Sequence, residues 1–233
     1  MSYSKNSAIN KNRLRDKQKF IKFKRNNFWK DLRMDSRNQF DPKELLKPDN
    51  MLRLYASGAF PMANDKTGAI NWYMPDVRTI IPLDSFNFPR SARKAIEKKN
   101  FEIKFDSDFT NVIMGCSDRE ETWISQELMD AYKRLRKRGH VHTVETWLNG
   151  ELVGGLYGVT FRGAFFGESM FSKVSEASKA ALIGLINHLI EKDFLLLDVQ
   201  YMTEHLQMFG AIEITFDEYT KLLHSAYIRG CEF

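Results

Sequence analysis

The chain has 233 residues, 43% of them hydrophobic, so it is long enough to bury one substantial core. Its two cysteines, Cys116 and Cys231, lack the spacing of a zinc site and are too few for a disulfide framework. The N-terminus lacks the apolar stretch of a secretory signal, and no apolar run approaches the ~18 residues of a membrane span. These features predict a cytoplasmic protein with no membrane partner.

The net charge of +5 is unevenly distributed along the chain. Residues 1–33 carry eleven Lys or Arg and two Asp, a net charge of +9, which leaves −4 on the remainder. Basic segments of this kind are common nucleic-acid contacts, and they are equally common as solvated tails without a partner. We therefore expect residues 1–40 to form a basic, partly disordered arm, with one short helix at residues 17–32.

After the arm, the pattern predicts a helix at residues 51–57. Asp49 is placed to cap this helix. Two motifs with aromatic residues follow, Gly-Ala-Phe-Pro-Met, which ends at Met62, and Trp-Tyr-Met-Pro-Asp, which starts at Trp72. From the pattern alone, these rings are ordinary core residues.

A predicted strand at residues 79–83 leads to a helix whose first turn suits Pro89. Its cations recur at spacings of three, four and eight residues, which place them along one helical face. They are Arg90, Arg93, Lys94 and Lys98. Such a face suits nucleic-acid phosphates, although a solvated surface helix has the same pattern.

The middle of the chain reads as two capped helices followed by a hairpin. Asp108 is placed to cap a helix that ends near residue 116, and Ser125 caps the next helix. Asn149 and Gly150 lie between two alternating apolar runs at residues 141–148 and 151–160, which is a strong hairpin signal. Glycines inside the second run indicate a bulge or a ligand close to the backbone.

The stretch from Ala164 to Gln200 carries the polar residues that the pattern singles out. A short apolar strand ends before Glu168, a helix of about 15 residues follows, and a second apolar strand ends in Asp198-Val199-Gln200. A charge at the end of a buried strand is costly unless it is paired or in use. Strand ends in a β-α-β unit often bind ligands, although two ordinary strand ends with polar caps fit the pattern equally well.

Several long motifs in this chain closely resemble the leucyl/phenylalanyl-tRNA–protein transferase family. They are GESMFSKVSEASKAAL, LDVQ and TEHLQMFGA, preceded in the family's order by GAFPM, WYMPDVR, TWISQELMDAY and ELVGGLYGV. The resemblance covers residues 48–227 and does not extend to the arm. It implies an α/β protein with a GNAT-like acyltransferase fold. Residues 41–78 would form a small N-terminal domain that helps to hold the 3′-terminal adenosine of an aminoacyl-tRNA, and residues 79–233 the catalytic domain.

The resemblance also implies an activity. Leu or Phe, and by extension Met, would pass from aminoacyl-tRNA to the α-amine of a protein that begins with Lys or Arg, in the N-end rule degradation pathway. Gln200 and Asp198 would act at the reacting amine, with Gln200 as an orienting acceptor. Glu168 matches a third site residue of the family and would supply negative charge near a cationic end of a substrate, either the donor amine or the acceptor. Asp198 would fix the orientation of the Gln200 amide, or it would hold the proton of the amine indirectly, through another group.

The remaining candidate residues fall into two sets. The positions that match the family's aminoacyl pocket are Leu156, Phe165, Leu182, Leu185 and Leu197. Trp123 and Met62 match adenosine-side positions of the family, Trp72 is placed to assist them, and the helical face with Arg90, Arg93, Lys94 and Lys98 is the expected tRNA contact. Met62 stands where an aromatic residue is typical of the family, and its thioether can still pack on a ring.

The expected co-substrate is aminoacyl-tRNA, and no resident cofactor or metal is expected. Between Phe171 and Leu182 the chain has no glycine for a pyrophosphate cradle, which argues against acetyl-CoA, although serines at a helix start can still bind an anion. His140 and His142 share a strand face without an evident third ligand. We expect a monomer. Two alternatives stay open: a related transferase with another donor or acceptor, and a tRNA-binding protein without activity.

Overall fold

The computed structural model describes residues 42–64, 67–119 and 122–233. The predicted arm at residues 1–40, with its helix at 17–32, lies outside the described residues. In chain order the elements are a 3₁₀ helix (Pro42–Leu46), α1 (Pro48–Ala56), β1 (Phe60–Ala63), β2 (Ile70–Tyr73), β3 (Val77–Ile81), α2 (Arg90–Glu97), β4 (Glu102–Phe105), α3 (Phe109–Ser117), α4 (Gln126–Arg136), β5 (Val141–Leu148), β6 (Glu151–Phe161), β7 (Ala164–Ser172), α5 (Ala177–Glu191), β8 (Leu196–Gln200), α6 (Glu204–Gln207), β9 (Ile212–Thr215) and α7 (Phe216–Tyr227).

Seven strands form one mixed sheet in the order β4-β5-β6-β7-β8-β3-β9. The pair β7–β8 is parallel and is joined by α5, whereas the other neighbours in this sheet are antiparallel. β1 and β2 form a separate antiparallel pair. This architecture confirms the predicted mixed α/β class. The predicted domain boundary after residue 78 falls inside β3, and the division into domains stays a prediction.

The hydrophobic core has two parts, one on each face of the large sheet. Neighbouring strand residues point to opposite faces, so Tyr157 and Phe166 join the cluster that contains α3, α4 and α7. Leu156 and Phe165 join the other cluster, which contains α5. Both residue pairs are buried.

Most predicted helices are present, and one begins earlier than expected. Asp108 accepts a hydrogen bond from the Asn111 N–H at 3.1 Å and caps α3, and Ser125 accepts one from the Leu128 N–H and caps α4. α5 has the expected 15 residues. α1, in contrast, begins at Pro48, because the fixed φ of proline suits the first helical position, and Asp49 lies in its first turn rather than at the cap.

The prediction that the strand at Ala164 ends before Glu168 is wrong. β7 continues to Ser172 and pairs with β6 along its length. Its parallel partner β8 pairs only with its first three residues, ending where Phe166 faces Asp198. β7 and β8 therefore stop pairing beyond Phe166.

The glycines of β6 make room for protein groups rather than for a ligand. A Cβ atom at Gly158 would lie 2.3 Å from the ring of Phe165, and one at Gly154 would lie 2.6 Å from the Cβ of Ala177. β6 also bulges at Val153, because Thr146 of β5 pairs with Gly154 while Trp147 pairs with Leu152, and this confirms the predicted bulge.

Candidate active site

A cavity of about 300 Å³ lies where β7 and β8 stop pairing. Four leucines of the predicted aminoacyl pocket line it, namely Leu156, Leu182, Leu185 and Leu197. Glu168 and Gln200 also belong to its wall. The cavity thus combines an apolar lining with two buried polar side chains, which is the usual composition of a small-molecule site.

Glu168 is the extra residue of a β-bulge in β7. Ser169 pairs with Tyr157 and Gly167 pairs with Gly158, which leaves Glu168 without a partner residue in β6. Bulges of this kind redirect a side chain and are common beside active sites. The bulge therefore explains how a carboxylate interrupts a buried strand at this point.

The Glu168 carboxylate is buried and is held by phenols rather than by a cation. Tyr55 and Tyr132 donate hydrogen bonds to its two oxygens at 2.8 and 2.7 Å, and Gln200 Nε2 donates to Oε1 at 3.3 Å. Burial raises its pKa from the ordinary value of 4.5 to about 7, although the two tyrosine hydroxyls act in the opposite direction. Glu168 can therefore gain or lose a proton near neutral pH.

Asp198 is fully buried and its oxygens are occupied by fixed partners. Arg78 donates from Nε at 2.9 and 3.0 Å and from Nη2 at 2.6 Å, and Tyr219 donates its hydroxyl at 2.7 Å. Burial by itself would lower the pKa of Arg78, but the Asp198 carboxylate raises it above the ordinary value. This ion pair positions its neighbours and has no oxygen free for a substrate.

Gln200 ends β8 in the left-handed backbone region, with a φ of 62°. Such a conformation costs a non-glycine residue roughly 1–3 kcal/mol and persists only where the surroundings enforce it. Here the Gln200 N–H donates to Asp198 Oδ1 at 2.9 Å, and the side-chain amide donates to Glu168. The expectation that Asp198 orients the Gln200 amide is therefore wrong: Glu168 bonds the amide, and Asp198 bonds the backbone.

Two of the predicted adenosine-side residues lie at the cavity and one does not. Trp123 and Met62 both line it, and the Ala63 N–H bonds to the Trp123 carbonyl at 3.0 Å, which links their segments. Trp72 packs edge-on against Tyr55, with ring centroids 5.8 Å apart, and is not part of the cavity wall in the described part of the chain.

Phe165, predicted in the aminoacyl pocket, is also absent from the cavity wall formed by the described residues. Its side chain is fully buried, and its ring lies 5.6 Å from that of Phe233. The structure therefore assigns it to the core beneath the four leucines rather than to the wall itself.

The basic face predicted on α2 is on the surface. Its four cations, Arg90, Arg93, Lys94 and Lys98, are all exposed. The Arg93 guanidinium lies 4.8 Å above the ring of Phe88, and none of the four belongs to the cavity wall as described. Their contact with tRNA stays a prediction.

Four residues of the site escaped the sequence analysis: Arg78, Tyr55, Tyr132 and Tyr219. A signal existed for Arg78, because a charge among the apolar residues of β3 needs a buried partner. The tyrosines gave no such signal, since Tyr55 lies 113 residues from the carboxylate that it bonds.

The histidines considered as metal ligands have structural partners. His140 Nδ1 lies 3.2 Å from the Thr160 carbonyl, and His142 Nδ1 lies 2.7 Å from Asp106 Oδ2. Across residues 42–64, 67–119 and 122–233 there is no group of three or more His, Cys, Asp or Glu residues suited to a metal. The same ranges contain no helix that is long and apolar enough to span a membrane.

Comparison with known proteins identifies the class and then the family. The model of the leucyl/phenylalanyl-tRNA protein transferase family matches residues 80–224, and the model of its N-terminal domain matches residues 44–76. The chain is therefore an aminoacyltransferase. It belongs to the leucyl/phenylalanyl-tRNA protein transferase family, which confirms the resemblance seen in its motifs.

Individual relatives agree with this assignment, and each is called leucyl/phenylalanyl-tRNA–protein transferase. The protein of Salinibacter ruber is 47% identical over 72% of this chain and 75% of its own. That of Gloeobacter violaceus is 45% identical over 81% and 97%. That of Herpetosiphon aurantiacus is 49% identical over 78% and 94%.

Likenesses to solved structures are weaker. The C-terminal DUF2156 domain of a putative lysylphosphatidylglycerol synthetase from Agrobacterium fabrum has a TM-score of 0.37 at 9% identity, covering 57% of this chain and 51% of its own. L-PGS from Bacillus licheniformis has a TM-score of 0.39 at 14% identity, covering 68% and 55%. These TM-scores are too low for either structure to indicate the fold or the function of this chain.

Proposed function

We propose that this chain transfers Leu or Phe, and by extension Met, from aminoacyl-tRNA to the α-amine of proteins that begin with Lys or Arg. This reaction would mark those proteins for degradation by the N-end rule pathway. The proposal rests on one observation: Glu168 and Gln200 lie together at the wall of an apolar cavity, beside Trp123. Membership of the family supports the same reaction.

The reaction is an aminolysis of the aminoacyl ester. The acceptor amine attacks the ester carbonyl, a C–N bond forms, and the ester C–O bond breaks as the ribose oxygen of the terminal adenosine leaves with a proton. The attacking amine must be neutral and correctly aimed. An α-ammonium group has a pKa of roughly 7.7–8.0, so some residue at the site has to accept its proton near neutral pH.

In our proposal Glu168 accepts that proton and Gln200 aims the amine. A carboxylate with a pKa near the working pH is an efficient base, and the pKa of Glu168 is raised to about 7. Because Gln200 Nε2 donates to Glu168, its Oε1 remains the acceptor for an amine N–H. Asp198 and Arg78 fix the backbone of Gln200 and do not touch the substrate.

The leucine-lined cavity would receive the aminoacyl side chain. Burial of a Leu or Phe side chain contributes roughly 1.5–3 kcal/mol, whereas a charged side chain would lose its hydration there. Trp123 would stack on the terminal adenine, and the thioether of Met62 would pack on the same ring. The cations of α2 and of residues 1–33 would contact phosphates of the tRNA body.

Further parts of the proposal follow from the family resemblance. We propose a GNAT-like arrangement of the catalytic domain, a monomeric state, a cytoplasmic location and aminoacyl-tRNA as co-substrate without a resident cofactor. The parallel pair β7–β8 with its crossover helix α5 supports the GNAT-like arrangement.

Transfer of labelled Leu or Phe from charged tRNA to a peptide that begins with Arg tests the function, with the same peptide beginning with Glu as control. Label on the Arg peptide alone is the expected result, and no label on either refutes the proposal. Transfer of label to the peptide only from tRNAs charged with other amino acids would favour the alternative of a related transferase with another donor. The variant Gln200→Ala should keep tRNA binding while transfer falls, which a protein that merely binds tRNA could not show.

A further inference from the structure

A second recess of about 510 Å³ adjoins the cavity of the proposed active site. The two share Arg119, Met170 and His205 in their walls, so they adjoin at the end of β7. We call this second space the basic recess. Its polar lining consists of Arg119, Ser172, Lys173, Ser178, Lys179 and His205, together with Asp118.

The charge of the basic recess is positive in the part of the chain that the structure describes. Three cations, Arg119, Lys173 and Lys179, face one carboxylate, Asp118. Lys179 also pairs with Glu176 at 3.0 Å, outside the lining, and Arg119 donates to the Met170 carbonyl. Lys173 is exposed and has no ion pair among the described residues, so its charge is available to a ligand.

The recess also offers hydrogen-bond donors that do not depend on charge. Ser178 lines the recess at the start of α5, and its hydroxyl can donate to a ligand. The Ser172 hydroxyl is already in use, because it donates to the Val174 carbonyl at 2.7 Å and accepts from the Ser178 N–H at 3.2 Å. Burial lowers the pKa of His205, which favours the neutral imidazole with one N–H to donate. A hydroxyl, an imidazole N–H and lysines together are typical of a phosphate contact.

We propose that the basic recess binds the phosphates of the single-stranded 3′ end of the tRNA, immediately before the adenosine that carries the aminoacyl ester. The inference rests on the proposed function. An adenosine held by Trp123 at the cavity must be joined to the rest of an anionic strand, and the recess is a cationic space that adjoins that cavity. An acceptor that begins with Lys or Arg would be repelled from the same space, so it has to approach elsewhere.

Lys173 provides the sharpest test, because it lines the recess but not the catalytic cavity. Two unreactive analogues with an amide in place of the ester would be titrated calorimetrically: phenylalanyl-adenosine, and the same group on a CCA trinucleotide with its phosphates. Lys173→Glu should weaken binding of the trinucleotide about tenfold and leave the phosphate-free analogue within about twofold of wild type. Lys173→Gln should lower the salt slope for the trinucleotide by about 0.7, the value for one single-strand phosphate contact.

Lys192→Glu is the matched control, because it makes the same charge change on an exposed residue at the far end of α5. It should leave both affinities unchanged, and Lys173→Arg should restore the trinucleotide affinity. Equal binding of the two analogues to wild type, or equal weakening of both by Lys173→Glu, would overturn the inference. Failure of the proposed function would show separately, as absence of transfer by the wild-type protein from charged tRNA.

Discussion

Two buried carboxylates lie on neighbouring strands of the large sheet, and the protein holds them in different ways. Asp198 has a guanidinium, a phenol and a backbone N–H on its oxygens, and it is completely buried. Glu168 has two phenols and an amide, contacts no cation among the described residues, and keeps 8% of its surface exposed at the cavity wall. The first is therefore held in a fixed ion pair, whereas the second, with a pKa raised to about 7, can change its charge near neutral pH.

This difference indicates that Asp198 has a structural role, whereas Glu168 can take part in the proposed reaction. A carboxylate with a bidentate guanidinium partner keeps its geometry but cannot act as a base. Burial raises the pKa of Glu168 to about 7, because the two phenols that bond its oxygens only partly offset the loss of hydration. The predictions below test whether the two carboxylates have these separate roles.

The largest expected effect is on the Asp198 side. Arg78→Met should lower the free energy of unfolding by about 3–5 kcal/mol, because it leaves a buried anion without its partner. Urea denaturation measures this, and the double variant Arg78→Met/Asp198→Asn should recover part of the loss. The exposed pair Arg138 and Asp49 is the control, since Arg138→Met should cost less than about 1 kcal/mol. Similar losses for both arginines would contradict the scaffold role.

The next effect is a pH dependence of stability from Glu168. Its folded pKa of about 7 exceeds the ordinary 4.5, so between these values the folded state holds a proton that the unfolded chain releases. The stability from this group is complete below about pH 4.5 and is lost as the pH rises to about 7, in total about 3 kcal/mol. Denaturation of wild type and Glu168→Gln at pH 5 and pH 8 should show that the variant lacks this decline. The same decline in both proteins would assign it to other groups.

A smaller free-energy effect is expected on the rate of transfer. Glu168→Gln should lower the rate about 100-fold, or about 2.7 kcal/mol, and leave tRNA affinity unchanged, because it removes the base but keeps the hydrogen-bonding shape. In wild type the rate should rise through about pH 7 as Glu168 loses its proton. The exposed Glu151→Gln serves as the control. An unchanged rate in Glu168→Gln would exclude the carboxylate as the base.

The smallest expected effect concerns a third tyrosine near Glu168. The buried Tyr157 hydroxyl has no hydrogen-bond partner in the described part of the chain, so Tyr157→Phe should change stability by less than about 1 kcal/mol, in the stabilising direction. Tyr132→Phe removes a bond to the carboxylate and should cost about 1.5–3 kcal/mol. Thermal denaturation ranks the two variants, and a larger loss for Tyr157→Phe would show that its hydroxyl has a bound partner.

The sequence predicted the local elements better than the site. Alternating strands, the Asn149-Gly150 hairpin and the caps at Asp108 and Ser125 depend on neighbours within a few residues, and all are present. The end of β7 was placed wrongly, because a bulge at Glu168 lets the strand continue past a charge. Local pattern contains no information on such a bulge.

The site residues divide in the same way. Four leucines were placed at the cavity through the family resemblance, since the pattern alone reads them as core. The partners of Glu168 and Asp198 come from α1, α4, β3 and α7, and no local pattern connects such distant segments. Phe165 shows the limit of resemblance, because it lies in the core behind the wall rather than in it.

The contacts of Tyr55 and Gly58 bear on how this protein can be divided or engineered. Tyr55 supplies one phenol of Glu168, and the Gly58 carbonyl accepts from Arg78 Nη1 at 2.9 Å. A fragment that starts after β2 would keep the whole seven-stranded sheet. It would, however, lose the carbonyl that bonds the Arg78 guanidinium and one of the two phenols that bond Glu168. The first described segment is thus part of the proposed active site, and transferring that site to another protein would require transferring this segment as well.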